Sequence, residues 1–332
     1  MSEPRTRHPR VALGRDREIV RLVAELYYGR GLNQPEISAL THFSVSKVSR
    51  LLALGRESGV VRITIEPASG QVDPVAATLS ATLGVEIHVT PGRETSPAVA
   101  ARLCGVAAVE FVLESLPTSG VVGLGGGYTV EALVAALPRM ERAAITVVPL
   151  VGGWDARNQH LDVNEAARRM ANRLGATAFT LHAPGMLDSE ATRNALLADS
   201  AIAATTRFWA QVDWALIGVS GGPHERPGYT TVMDRLDEVG RERLASKGVV
   251  GDISGHLFAV DGSFVDDEWT HRTLSIPLKL LRQATDIVLV AAGSNKVGAI
   301  VGAARTGIVT TIITDRPTAE AALRLARATA CV

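Results

Sequence analysis

Three stretches of the chain combine residue types and spacings that suit chemistry. The first is Gly123-Leu124-Gly125-Gly126-Gly127-Tyr128-Thr129, in which an apolar run reaches a helical pattern through consecutive glycines. Glycines let backbone N–H groups approach an anion, a helix N-terminus favours negative charge, and a hydroxyl in the first turn adds a donor. Gly125, Gly126, Gly127, Tyr128 and Thr129 therefore form a phosphate cradle in principle, although such turns also arise from packing alone. Gly-Lys-Ser/Thr is absent, and the spacing does not fit the dinucleotide fingerprint with its downstream acidic residue, so a nucleotide cofactor is disfavoured and none is expected. The second stretch, Ala291-Ala292-Gly293-Ser294-Asn295-Lys296, follows the strongest apolar run and precedes a helix. Lysine is scarce here, occurring only as Lys47, Lys247, Lys279 and Lys296. Lys296 stands where a strand hands over to a helix, a place for an anion-binding ammonium as well as for a solvated surface lysine. The third is Ser44-Val45-Ser46-Lys47-Val48-Ser49-Arg50, where hydroxyls and two cations share the start of a helix. Hydroxyls and helix N-termini hold phosphates, and Lys or Arg reaches guanine edges in a major groove.

The elements that must carry these residues follow from hydrophobic period. Ile19, Leu22, Val23, Leu26 and Tyr27 recur at helical spacing over residues 15–28, and Gly29 and Gly31 stop the pattern. Asn33 caps a short helix with Pro35 and Glu36 in its first turn and Ile37 and Leu40 facing inward. Thr41-His42-Phe43 makes the turn. Ser44 then caps a third helix to Glu57, with Val48, Leu51 and Leu52 inward and Ser46, Lys47, Ser49 and Arg50 outward. Val60 to Ile65 alternates as a strand. Three helices and a strand match a helix-turn-helix with a wing. A plain helical bundle has the same period, but its outer face would favour Glu/Lys pairs over short hydroxyls.

After Pro67 the pattern becomes repeated strand and helix. Apolar runs at residues 85–89, 121–124, 145–150, 178–181, 214–219, 287–291 and 309–314 are separated by helical stretches such as 97–116, 129–137, 164–174 and 294–306. Such alternation predicts a doubly wound, mostly parallel α/β sheet covered on both faces, with ligands at the carboxyl ends of its strands. The chain thus divides into residues 1–66, for DNA, and 67–332, for a small molecule and for self-assembly. At 332 residues, with 46% hydrophobic and 20% charged, it is an ordinary two-domain globular sequence rather than a disordered one. Its net charge of zero hides an asymmetry, since residues 1–66 hold 11 Lys and Arg against 7 Asp and Glu, and the remainder 23 against 27. A basic N-terminal end fits nucleic acid. Cys104 and Cys331 build neither a disulfide framework nor a zinc cluster. No apolar run of membrane-spanning length or secretory leader is visible, so a cytoplasmic location without membrane contact is expected.

The segment Gln34-Pro35-Glu36-Ile37-Ser38 through Ser44 to Leu52 resembles the N-terminal motif of the SorC family of bacterial transcriptional regulators. Its usual Ala-Arg-Glu-x-Gly-x-Val tail stands here as Gly55-Arg56-Glu57-Ser58-Gly59-Val60-Val61, where glycine loosens the helix end. The candidate DNA contacts are Gln34, Ser44, Ser46, Lys47, Ser49 and Arg50. Residues 79–325 resemble the family's sugar-binding domain through Val121 to Thr129, Val147 to Gly153, Asn164 to Leu174, Ala183-Pro184, Ala215 to Val219, Gly248 to Gly255, Ala291 to Lys296 and Thr311 to Asp315. Such domains look like the sugar-phosphate isomerase fold turned to sensing. The resemblance implies that Gly126, Gly127, Tyr128 and Thr129 cradle an effector's phosphate or terminal hydroxyl, that Lys296 pairs with it, and that Asn164 makes a polar contact. An asparagine there can equally be a helix cap. Asp252 can accept sugar hydroxyls or hold a turn. Trp154 can stack on a ligand or pack. Some phosphosugar-binding members carry an arginine after the third strand; here Pro149 to Gly153 is apolar, against a doubly phosphorylated effector.

The rival reading is an aldose-ketose isomerase with a DNA-binding appendage. Isomerases of this fold carry Gly-x-Gly-x-Asp-Gly-His, whereas Gly218-Val219-Ser220-Gly221-Gly222-Pro223-His224 keeps the histidine and lacks the aspartate needed for proton transfer. The sequence is therefore read as a non-enzymatic, sequence-specific regulator whose partners are double-stranded operator DNA, a sugar, polyol or sugar-phosphate effector, and other copies of itself. Reading a palindrome takes at least a dimer, and the resemblance implies a tetramer.

Overall fold

The computed structural model describes residues 15–61, 73–93, 95–153, 162–223 and 236–330. They fall into two compact units, Met1–Gln71 and Val72–Val332. The boundary expected at Pro67 lies outside the described residues.

The first unit holds helices Arg15–Ala24, Gln34–Thr41 and Val45–Glu57, the first running on through a π turn, Glu25–Gly29. Asn33 and Glu36 form a reciprocal capping box, with N–H···O distances of 2.9 and 2.7 Å. Ser44 caps the third helix by accepting the Lys47 N–H. Val23, Leu26, Ile37, Val48 and Leu52 make the core. Two expected inward positions are corrected, since Leu22 and Leu40 are 50% and 64% exposed. In the first helix the buried stripe is rotated to Val20, Val23 and Ala24. Val20 packs closely on Gly55, where a Cβ would lie 3.3 Å from its methyl. The second helix is two turns long and buries only Ile37. Of the expected wing strand only Val60 and Val61 are described; Val61 N–H donates to the Gly55 carbonyl at 2.9 Å.

The second unit contains strands β1 Glu86–Thr90, β2 Gly120–Leu124, β3 Ile145–Pro149, β4 Thr177–Ala178, β5 Val212–Ile217, β6 Val249–Ile253, β7 His256–Ala259, β8 Asp286–Val290 and β9 Thr311–Asp315. Seven of them form one all-parallel sheet in the order β1-β9-β8-β5-β2-β3-β4. These are the seven expected strands, with the fourth shortened to two residues. Their alternate side chains feed two separate cores. Val122, Leu124, Val147, Leu216 and Val290 pack under helices Pro97–Ala107, Tyr128–Ala136 and Val163–Leu174. Val121, Val148, Ile217, Leu289 and Ile312 pack under Pro74–Leu83, Val297–Arg305 and Arg316–Ala328. The helix expected over 97–116 is broken at Ala108 into Pro97–Ala107 and Val109–Ser115. That expected over 294–306 begins as a 3-10 turn, Ser294–Lys296. Strands β6 and β7 form an antiparallel hairpin outside the sheet.

The close seat of Pro97–Ala107 on Tyr128–Ala136 depends on Gly105. A Cβ there would fall 2.3 Å from the Thr129 carbonyl oxygen, a backbone atom that cannot swing aside. Gly105→Ala is therefore expected to destabilise the second unit by about 1–3 kcal/mol or more, as overpacking does. Urea unfolding of the two proteins measures it, and an unchanged midpoint would refute the close approach.

Candidate functional site

The chain enters the sheet interior at β2, runs outward through β3 and β4, then returns to the other side of β2 as β5 and continues to β8 and β9. The direction of winding reverses between β2 and β5, the place in such sheets where ligands are met. The loops after these two strands meet backbone to backbone, because a Cβ on Gly218 would come 2.8 Å from the Gly126 carbonyl oxygen. At Gly126 and Gly127, by contrast, a Cβ would meet no heavy atom within 4 Å, so the side-chain direction there is open, while the Gly127 carbonyl accepts the Glu131 N–H at 2.9 Å. Gly127 takes φ of +127°, which glycine tolerates and other residues resist. Tyr128 begins the helix half-buried, and Thr129 is buried beneath it.

From Gly218 the edge continues through Ser220 to the hairpin. Ser220 Oγ donates to Asp252 Oδ1, and Gly255 N–H donates to Asp252 Oδ2 at 2.9 Å. Asp252 is buried, and desolvation pushes its carboxyl above the ordinary range against the opposing pull of Ser220, the Gly255 N–H, Lys296 and His256. Burial likewise lowers the pKa of His256, whose neutral ring donates from Nε2 to the Ile276 carbonyl at 2.8 Å. Lys296 ends the 3-10 turn that starts from Gly293. Within that turn Asn295 Oδ1 is buried without a hydrogen-bond partner, the kind of orphan acceptor that a ligand hydroxyl satisfies.

The structure therefore brings Gly125, Gly126, Gly127, Tyr128, Asp252 and Lys296 to one carboxyl edge. Strands β2 and β8 are not neighbours, however; β5 lies between them. Two strand spacings, about 10 Å, separate the ends of β2 and β8, so a ligand that uses both the glycine loop and the Lys296 turn reaches across the loop after β5. Ser220 was not among the expected contacts, though it sits in the Gly218-to-Gly222 run that the sequence already marked. Asp252 holds the turn, each oxygen accepting one bond with a further lone pair left. Asn164 is not the cap of its helix. Asp162 is the cap, and the Asn164 amide closes a reciprocal pair on Leu181, accepting its N–H at 2.7 Å and donating to its carbonyl at 3.2 Å. Trp154 and His224 lie outside the described residues.

In the first unit, Ser46, Lys47, Ser49 and Arg50 are exposed on Val45–Glu57. The Lys47 ammonium rests 3.9 Å from the centre of the Phe43 ring, and Arg50 Nε donates to the Ser46 carbonyl at 3.3 Å. Ser44 is exposed but engaged in capping, and Gln34 is half-buried at the start of the preceding helix. The arrangement offers a phosphate-facing helix start and two cations.

Residues 75–324 match the family described as a putative sugar-binding domain. The sorbitol operon regulator of Klebsiella pneumoniae is 28% identical over 315 residues, spanning 93% of this chain and 98% of that protein. The erythritol catabolism regulatory protein EryD of Brucella abortus is 26% identical over 303 residues, spanning 90% and 94%. The crystal structure of the full-length K. pneumoniae sorbitol operon regulator SorC superposes with a TM-score of 0.70 at 27% identity, covering 93% of this chain and all of that one.

Asp252→Asn keeps an acceptor for Gly255 and a group for Ser220 while removing the buried charge. A carboxyl whose pKa is raised by folding favours the native state when protonated, so its contribution is lost as pH rises from the ordinary carboxylate range through the raised value. As pH rises from the ordinary carboxylate range through the raised value, the wild type should therefore lose stability relative to Asp252→Asn. Parallel pH profiles of the denaturation midpoint would contradict the assignment.

Proposed function

Because the chain belongs to the SorC family of transcriptional regulators, with the family's sugar-binding domain over residues 75–324, we propose that it binds double-stranded operator DNA and is controlled by a sugar, polyol or sugar-phosphate effector. The observation that carries this reading is the uncrowded glycine turn at Gly126 and Gly127 on the same carboxyl edge as Asp252 and Lys296. The glycine loop offers N–H donors, Lys296 a cation, and Asn295 an acceptor for a hydroxyl. Gly125, Tyr128 and Thr129 shape the loop, and Asn164 acts behind it by fixing Leu181. After β3 the wall is closed, since a Cβ on Gly152 would meet the Ala183 and Pro184 carbonyls within 2.7 Å. This supports an effector with a single phosphate at most.

The same edge argues for sensing over isomerisation. Where isomerases of this fold carry aspartate, Gly222 would bring a Cβ to 3.3 Å from the Val249 carbonyl oxygen, so the position is packed against the hairpin. The regulator acts in the cytoplasm as a homo-oligomer, a dimer at least, because a palindrome presents two half-sites. The effector works by binding DNA-competent and DNA-incompetent states with different affinity.

Gln34, Ser44, Ser46, Lys47, Ser49 and Arg50 contact the duplex. Lys47→Ala and Arg50→Ala should each cost about 1–3 kcal/mol of operator affinity in gel shifts on the native upstream region. Unchanged affinity for both would remove the recognition-helix assignment. Lys296→Ala should weaken a phosphorylated effector by about 1.5–3 kcal/mol and the matched unphosphorylated sugar much less, with DNA affinity unaltered in its absence. Calorimetric titration with both ligands tests this, and equal losses would mean that Lys296 does not read a phosphate.

A further inference from the structure

We propose that a second site, selective for a phosphate group, lies in the cleft at the carboxyl ends of β1, β9 and β8. It goes beyond the effector reading and stands whether or not the glycine loop binds a sugar. The cleft encloses about 390 Å³, within the range of small-molecule sites. Arg93 and Thr95 reach it from the loop after β1, Gly293 and Ser294 from the loop after β8, and Thr318 and Arg324 from helix Arg316–Ala328.

Among the described residues its charge is unbalanced. Neither Arg93 nor Arg324 forms an ion pair with a described carboxylate, whereas the adjacent Arg316 is paired with Asp73 and Glu320. The acidic residue of the lining, Asp315, is 3% exposed and accepts the Thr318 N–H as the cap of its own helix. Thr318, 2% exposed, accepts the Gly293 N–H at 2.8 Å, which leaves its O–H to donate. Two guanidinium groups and the hydroxyls of Ser294 and Thr318 thus offer donors, while the Thr95 hydroxyl donates to the Ser96 carbonyl at 3.4 Å. Guanidinium forks match the oxygens of a phosphate two at a time, and hydroxyls complete a tetrahedral anion. Lys296 belongs to the neighbouring strand gap and contributes nothing to this cleft, although Gly293 and Ser294 are common to both loops.

Inorganic phosphate is the probe. Titrated into the full chain, it should raise the thermal midpoint of wild type and of Lys296→Ala alike, by mass action on the folded state. The Arg93→Ala/Arg324→Ala double variant should need at least about tenfold more phosphate for the same shift, consistent with loss of charge-assisted bonds. Both arginines are exposed, so this variant keeps the fold, which circular dichroism checks. Ala321→Glu, which adds a carboxylate to the lining without removing a donor, should weaken the response as well. A response unchanged in the arginine pair, a response lost only in Lys296→Ala, or no response of the wild type at millimolar phosphate each overturns the proposal. None of these outcomes bears on operator binding.

Discussion

A parallel sheet covered on both faces has nowhere to expose polar backbone except at the ends of its strands, and the chemistry of the second unit follows from that constraint. The alternate side chains of β2, β3, β5, β8 and β9 are divided between two apolar cores. Helices laid over both faces start at the carboxyl edge, so their unpaired N–H groups gather there. Glycines are needed at that edge because backbones cross at close range, as Gly218 does on Gly126. Polar backbone is therefore concentrated at that edge, which is where such sheets meet their ligands.

Asp252 works against this tendency and is costly to keep. A buried carboxylate is tolerated only when its oxygens are hydrogen-bonded and a cation is near. Ser220 and Gly255 supply the bonds, and Lys296 the opposing charge. Removing one partner would leave the others unsatisfied, so the loop after β5, the hairpin and the Lys296 turn hold one another in register. The hairpin reaches this place because Gly251 lets it approach Ala299 and the Ser220 carbonyl, with a Cβ there only 2.9 and 2.7 Å away.

Much of the fold was legible because central parallel strands are apolar on both faces and stand out as short runs bounded by glycine. The first-unit helices were legible through Asn33 and Ser44, whose capping bonds are local. Long-range facts were not. The rotated stripe of the first helix packs Val20 on Gly55, two helices further along the chain, and no period reveals that contact. The hairpin β6–β7 is short and its outer register irregular, so its alternation is weak. Asn164 was visible as a polar residue at a helix start, but its partner Leu181 is fixed only by the sheet. Likewise the interposition of β5 between the two loops is a matter of strand order, which spacing does not encode.

Strand order also determines how the edge can transmit a signal. The Gly293-to-Lys296 turn stands between the Asp252 hairpin and the Arg93–Arg324 cleft, tied to the latter by the Gly293 N–H on Thr318. An anion drawn to Lys296 takes up the charge that Asp252 relies on and raises the cost of keeping that carboxylate ionised. The carboxyl can respond by binding a proton, or the hairpin by shifting relative to Ser220. Either response changes the free energy of one local arrangement relative to another, which is what a ligand must do to bias a two-state protein. The glycine loop has little to contribute to that bias, since side-chain positions at Gly126 and Gly127 face open space with nothing that could move with them. Asp252, Ser220 and Lys296 thus form the charged cluster of this edge whose free energy an added anion would change.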